Sequence, residues 1–156
     1  MDLKIGDILA VKGNGLISEA IEAVEHSQYS HIAGYVGNGQ LIEAEGFRKT
    51  GYALLSKYKG IADVFGCDEA TDYQRQQMLK LAQWNIGGHY DYVLLGIELV
   101  RYELGVWLPY KEVPKIRVCS TLWAGIYRDV GLDKWKGIKY PSPGDIPKPL
   151  RYKGSI

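Results

Sequence analysis

The chain has 156 residues, and 19 Lys plus Arg against 18 Asp plus Glu give a net charge of +1 at pH 7. This length predicts a single domain over residues 1–156, and the near-neutral charge excludes a global field that would attract nucleic acid or an anionic membrane. A hydrophobic share of 46% is typical of a globular core and argues against disorder.

The N-terminal half predicts strands and one helix. Lys4, Asp7 and Lys12 interrupt the first apolar runs, so the chain shows no signal-peptide segment, and no run approaches the ~18 apolar residues of a membrane span. Apolar positions at helical spacing predict a helix over residues 15–25. Strands are predicted, in chain order, at residues 5–12, 30–36, 40–45, 50–58 and 61–66, with a turn at Gly37-Asn38-Gly39.

The C-terminal half predicts helices over residues 70–85, 91–104 and 119–130. Gly87-Gly88 ends the first of them and Gly131 the last. Inward-facing positions predicted for the first helix are Tyr73, Met78, Leu81, Ala82 and Trp84. Four prolines between residues 141 and 149 predict an extended strap across the surface. Hairpins in front of helices predict the α+β class.

Cys119 and Cys67 differ in their expected chemistry. Cys119 lies where the extended run K-I-R-V becomes a helix, and a helix N-terminus favours a thiolate there. On position alone, a buried and inert cysteine is the commoner outcome. Cys67 precedes Asp68 and Glu69, which disfavour a thiolate, and is predicted to be structural or inert. Two cysteines without a C-x-x-C motif predict neither a disulfide framework nor a zinc site.

His31 begins the strand H-I-A-G-Y-V-G, and two carboxylates follow in the return strand. If the turn has three residues, His31 opposes Glu45, and Glu43 is its diagonal neighbour on the same face. With a two-residue turn, both carboxylates would face away. Either one could fix the imidazole tautomer, which is the task of the third residue of a Cys–His–acid triad.

Several motifs together resemble those of the NlpC-type cell-wall cysteine peptidases. S-H-I-A-G-Y-V-G-N-G-Q-L-I-E-A resembles their His strand and the strand after it, and G-D-I-L resembles the turn that precedes the His strand. C-S-T-L-W-A-G-I-Y-R-D-V-G-L resembles their nucleophile helix. Because His31 precedes Cys119, the order resembles that of the circularly permuted branch, the YiiX-like and lecithin:retinol-acyltransferase-like proteins. The resemblance covers residues 6–46 and 118–146, including the tail P-S-P-G-D-I.

The resemblance implies a permuted papain-like fold, in which a small antiparallel sheet or barrel packs against helices that include the nucleophile helix. It implies a thiol hydrolase for amides, with Cys119 as nucleophile, His31 as its acid and base, and Glu43 orienting His31. The implied partner is a peptide or a cell-wall fragment, either free or lipid-linked, such as a peptidoglycan stem peptide. The alternatives are acyl transfer or lipid ester hydrolysis, and a non-catalytic binding module.

Further residues are candidates for substrate binding. The family usually has Asp before the nucleophile, where it holds the free amine of a cell-wall peptide, but this chain has Val118. The 12 tyrosines suggest an aromatic groove, and Tyr29, Tyr90 and Tyr92 are its candidates, together with Ser120 beside the nucleophile. His26 and His89 are interpreted as structural. No H-E-x-x-H, phosphate loop or dinucleotide motif occurs in the sequence, so neither a metal nor a cofactor is predicted.

Overall fold

The computed structural model describes residues 1–13, 27–46, 48–106, 108–111, 113 and 115–156. Within them a six-stranded antiparallel sheet packs against helices, which confirms the α+β class. The helix predicted over residues 15–25 and His26 lie outside the described residues.

The main sheet has the strand order β4-β3-β2-β1-β5-β8, and a separate parallel pair joins β6 and β7. The strands are β1 Ile8–Lys12, β2 Tyr29–Gly37, β3 Gln40–Glu43, β4 Gly51–Leu54, β5 Ala62–Gly66, β6 His89–Tyr90, β7 Ile116–Arg117 and β8 Arg151–Ser155. The strand predicted over residues 50–58 is wrong in its second half, where Leu55–Tyr58 form a 3₁₀ helix.

The turn between β2 and β3 determines which side chains share a face. Gly37 pairs with Gln40, so the turn has two residues, and Asn38 and Gly39 both have positive φ, at 52° and 69°. A register shift between Tyr35 and Gly37 adds one residue to β2, and Gly34 then opposes Ile42. With a two-residue turn alone, Glu43 would face away from His31. The extra residue in β2 shifts the pairing by one position, so His31 and Glu43 share a face.

The described helices are α1 Asp72–Trp84, α2 Tyr92–Leu104 and α3 Cys119–Asp129, and none is long and apolar enough to cross a membrane. Two inward positions predicted for α1 are wrong, since Tyr73 and Trp84 are 74% and 57% exposed. The indole of Trp84 instead lies under the ammonium of Lys115, 4.6 Å from the ring centre. Met78 and Ala82 are buried as predicted.

The C-terminal tail is not a surface strap. The proline-rich stretch forms turns, and Asp145 accepts hydrogen bonds from the backbone N–H and hydroxyl of Ser142. Beyond Pro149, the backbone can again donate hydrogen bonds, and Arg151–Ser155 pair with β5 as the last strand of the sheet.

Two apolar clusters lie on opposite faces of the sheet. One packs β2 and β3 against α1 and α3 through Ile32, Ile42, Met78, Trp123 and Tyr127. The other joins Leu9, Val11, Ala33, Leu41, Tyr58, Ala62 and Val64. Because alternate residues of a strand face opposite sides, His31 lies on the face of Ala33 and Tyr58.

Candidate functional site

Cys119 is the first residue of α3, and its placement depends on how α3 packs against β2. The side-chain oxygen of Thr121 accepts from the Val118 N–H at 3.2 Å and so satisfies a free donor at the helix start. Further along, the indole N–H of Trp123 donates to the Ile42 carbonyl at 2.9 Å. Cys119 itself is only 4% exposed. The nucleophile candidate therefore sits on a rigid element fixed to the sheet.

The Gly6-Asp7 turn anchors the other end of α3. The hydroxyl of Tyr127 donates to the Gly6 carbonyl at 2.7 Å. The buried Asp7 carboxylate accepts from Lys153 at 2.6 Å and lies 3.5 Å from Arg75. Asp7 therefore stabilises the fold through ion pairs with Arg75 and Lys153.

Glu43 holds the imidazole of His31. The distance from His31 Nε2 to Glu43 Oε2 is 2.9 Å, and the hydroxyl of Tyr58 donates to the same oxygen at 2.6 Å. Lys57 donates to Glu43 Oε1 at 2.8 Å. Burial raises the pKa of Glu43, but His31, Lys57 and Tyr58 outweigh this and lower it to about 2. Glu43 is therefore ionised and fixed in orientation.

Glu45 lies beside this group but has other partners. Lys57 reaches both of its oxygens, at 3.1 and 3.0 Å, and Arg48 lies 3.2 Å from one of them. Lys57 thus bridges Glu45 and Glu43. Among the described contacts, the His31 imidazole is paired with Glu43 and not with Glu45.

The pKa of His31 depends on both Cys119 and Glu43. Burial lowers the pKa of His31, but the hydrogen bonds and charges of Cys119 and Glu43 outweigh it and raise the pKa from 6.5 to about 10. Since Glu43 occupies Nε2, Nδ1 is the ring nitrogen available to Cys119. Cys119 and Glu43 therefore both favour the imidazolium form of His31.

Three predicted substrate-binding residues are buried. Tyr29 donates its hydroxyl to Asp63 at 2.7 Å, and burial followed by this hydrogen bond raises its pKa to about 12. Val118 is 2% exposed and packs with Leu94 and Tyr140. Ser120 is fully buried, and its hydroxyl has no hydrogen-bond partner within the described part of the chain. The structure does not place these three side chains on an open surface.

The other two predicted residues, Tyr90 and Tyr92, lie together at a surface cavity. Their ring centres are 5.2 Å apart. With Arg48, Lys49 and His89 they line a cavity of about 330 Å³. Tyr90 pairs with Arg117 across β6 and β7, two residues before Cys119.

Sequence reasoning missed Lys57 and Tyr58, which hold Glu43 in place. Both lie in the 3₁₀ helix that follows β4, in a stretch that the sequence assigns to a strand. They reach Glu43 only because β3 and β4 pair, with Glu43 opposite Gly51. No motif in the sequence marks either residue.

Cys67 is buried, and its carbonyl accepts from Arg75 at 2.7 Å. The described residues hold no group of three or more His, Cys, Asp or Glu side chains that could bind a metal ion.

No protein-family model matches the chain, and no curated protein matches it. A solved structure does: that of the metalloprotein YiiX from Escherichia coli O157:H7, with a TM-score of 0.59 and 17% identity over 100% of this chain and 99% of that one. The two chains share a fold. YiiX is described as a metalloprotein.

Proposed function

We propose that the chain is a cysteine hydrolase that cleaves an amide bond, acting as one domain with a permuted papain-like arrangement. The observation that carries the proposal is the 2.9 Å hydrogen bond that holds His31 against the buried Glu43, and the influence of Cys119 on the pKa of the same His31 supports it. These three residues supply a nucleophile, an acid and base, and an orienting carboxylate.

The chemistry follows from the ion pair. The Cys119 sulfur attacks the substrate carbonyl carbon, and the backbone N–H of Cys119 at the start of α3 stabilises the negative oxygen that forms. The C–N bond breaks as His31 gives its proton to the leaving amine. Water then attacks the thioester carbonyl carbon while His31 takes a proton from this water, and the C–S bond breaks to release the acid and restore the thiolate–imidazolium pair.

The substrate class follows from the resemblance to cell-wall peptidases, which favours a peptidoglycan stem peptide or a related peptide amide. One observation favours the second candidate, acyl transfer or lipid ester hydrolysis. Val118 packs with Leu94 and Tyr140 directly before the nucleophile, where the resembling peptidases have an acid for a substrate amine. An apolar group suits this environment better than an amine.

Labelling and substrate profiling test the proposal. A thiol-reactive probe at mildly acidic pH is expected to modify Cys119 in the native protein, and Cys119→Ser should abolish turnover of cell-wall fragments. Hydrolysis of acyl lipids but not of stem peptides would select the second candidate. An unreactive Cys119 and no turnover of either class would leave the non-catalytic binding module as the better interpretation.

A further inference from the structure

Lys57 places a second positive charge on the carboxylate that holds His31. Its ammonium donates to Glu43 Oε1 at 2.8 Å, whereas His31 contacts Oε2 at 2.9 Å. Burial lowers the pKa of Lys57, but its hydrogen bonds and charge interactions with Glu43 and Glu45 outweigh this and raise it above its ordinary value. Lys57 is therefore charged at neutral pH, and a protonated His31 has to share Glu43 with it.

The neighbours of Lys57 and Glu43 keep this arrangement in place. Glu45 accepts from Lys57 at 3.1 and 3.0 Å and lies 3.2 Å from Arg48, so a second ion pair holds the ammonium. Tyr58 donates to Glu43 Oε2 at 2.6 Å, and burial together with the Glu43 charge raises the pKa of Tyr58, so this hydroxyl stays a neutral donor. Lys57 is thus the donor that brings a fixed charge to Glu43.

The described charges around His31 come from three elements. Glu43 belongs to β3, Lys57 to the 3₁₀ helix, and Cys119 to α3, while the residue opposite His31 on β1 is the uncharged Val11. Glu43 and Cys119 favour the imidazolium. Because like charges repel, the Lys57 ammonium opposes it.

The balance of these charges changes during the proposed reaction. In the first step His31 must give a proton to the leaving amine, and a Cys119 thiolate and Glu43 together keep it protonated until then. In the thioester, the Cys119 sulfur is bonded to the acyl carbon and carries no charge. His31 must now be neutral to take a proton from water, although Glu43 still favours its protonated form.

We propose that Lys57 is a positioning residue for this second step: by sharing the Glu43 carboxylate, it weakens the hold of Glu43 on the imidazolium and so allows His31 to act as a base. The inference rests on the proposed function, since it requires a thioester at Cys119. Removing the Lys57 charge should leave His31 protonated over a wider pH range and slow the hydrolysis of the thioester.

NMR titration of the His31 ring in Cys119→Ala isolates this effect, because the variant lacks the sulfur charge, as the thioester does. Lys57→Gln keeps a hydrogen-bond donor but removes the cation, and should raise the midpoint of His31 by about 0.5–1 pH unit. Lys57→Arg keeps the charge and should restore the original midpoint. Lys59→Gln, the same charge change at an exposed residue two positions further along, is the matched control and should leave the midpoint unchanged.

The reagent p-nitrophenyl acetate provides the kinetic test, because it acetylates a reactive thiolate and its leaving group needs no proton. Mass spectrometry then follows the loss of the acetyl group from Cys119 as a function of pH. Below the midpoint of His31, Lys57→Gln should lose the acetyl group about three- to tenfold more slowly, and the midpoint of this pH profile should move up as it does in the titration. Lys59→Gln should match the wild type.

Several outcomes would overturn the inference. These are an unchanged or lowered midpoint of His31 in Lys57→Gln, an equal shift in Lys57→Arg, and a slower loss of the acetyl group without a shifted pH profile, which would indicate a structural role only. If Cys119 is not acetylated, or if the wild type never loses the acetyl group, the proposed hydrolase fails instead. The titration in Cys119→Ala then still decides whether Lys57 opposes the protonation of His31.

Discussion

Gly34 lies beneath the indole of Trp123 so closely that a Cβ at Gly34 would fall 2.0 Å from ring atoms. This contact joins the strand that carries His31 to the helix that carries Cys119. No other residue type fits between the two elements at this separation. The approach of nucleophile and base therefore depends on a missing side chain three residues beyond His31.

Gly34→Ala is expected to destabilise the fold by about 1–3 kcal/mol and to reduce activity, because the ring or α3 must move. Gly96→Ala is the matched control, since a Cβ there meets nothing within 4 Å and lies within α2. Helix propensity should make that variant neutral or more stable by up to about 1 kcal/mol. Urea unfolding and turnover measure both variants, and equal stabilities would contradict the close packing.

Glu43→Gln is expected to lower turnover on the order of 10²–10⁴-fold, because the amide cannot stabilise the imidazolium as the carboxylate does. Glu45→Gln should change it by less than about fivefold, since its described partners are cations near the surface, where ion pairs contribute ~0–1 kcal/mol. Circular dichroism would establish that both variants fold. Equal losses of turnover would mean that Glu43 does not orient His31.

The hairpin that carries His31 could be predicted because its signals are local: alternating residues, a Gly-Asn-Gly turn and a second alternating strand. The bulge at the end of β2 could not, since it depends on how β2 pairs with β3. Lys57 and Tyr58 were missed for a similar reason, because only the pairing of β3 with β4 brings them to Glu43. The last strand was missed because the prolines before it predict an extended strap, although the five residues Arg151–Ser155 contain no proline and pair with β5.

The pKa of His31 should fall in Cys119→Ala, because the variant removes the hydrogen bond and the negative charge that help to raise it to about 10. Glu43 still raises it, so the pKa falls only in part. NMR titration of the His31 ring in both proteins measures the change. An unchanged midpoint would show that Cys119 and His31 are not coupled.

This coupling also predicts a pH dependence of stability. A group whose pKa is raised in the folded state stabilises the fold below its unfolded pKa of 6.5, and this contribution is lost as the pH rises towards about 10. The free energy of unfolding should therefore fall between pH 6.5 and pH 10 in the wild type, and by a smaller amount in Cys119→Ala. Urea titrations at the two pH values provide the comparison.

Iodoacetamide at mildly acidic pH is expected to label Cys119 before Cys67. Both cysteines are buried, but Cys119 lies at the start of α3 and is coupled to the His31 imidazolium, whereas Cys67 has Asp68 and Glu69 next in sequence. His31→Ala should lose much of this selectivity, since it removes the cation. Peptide mapping of the alkylated protein gives the order, and faster labelling of Cys67 in the native protein would count against an active enzyme.

The last prediction concerns the group that the substrate presents near Val118. The side chain at this position is an apolar valine, buried with Leu94 and Tyr140, and it cannot form an ion pair with a substrate amine as an aspartate would. Leaving a desolvated amine without its partner costs ~2–5 kcal/mol, which is enough to change the preferred substrate. An N-acylated stem peptide should therefore be cleaved faster than the same peptide with a free N-terminal Ala, as kcat/KM for the two substrates would show.

The opposite preference would point to Asp91 as a replacement acid. This buried carboxylate accepts from the Leu94 N–H at 2.8 Å and from the hydroxyl of Tyr110, and it lies on the segment that pairs with the residues before Val118. Both hydrogen bonds engage its oxygens within the fold, which is why we expect no amine to bind there. If the free amine is preferred and Asp91→Asn reverses this preference while the protein stays folded, Asp91 takes the role that the family gives to the acid before the nucleophile.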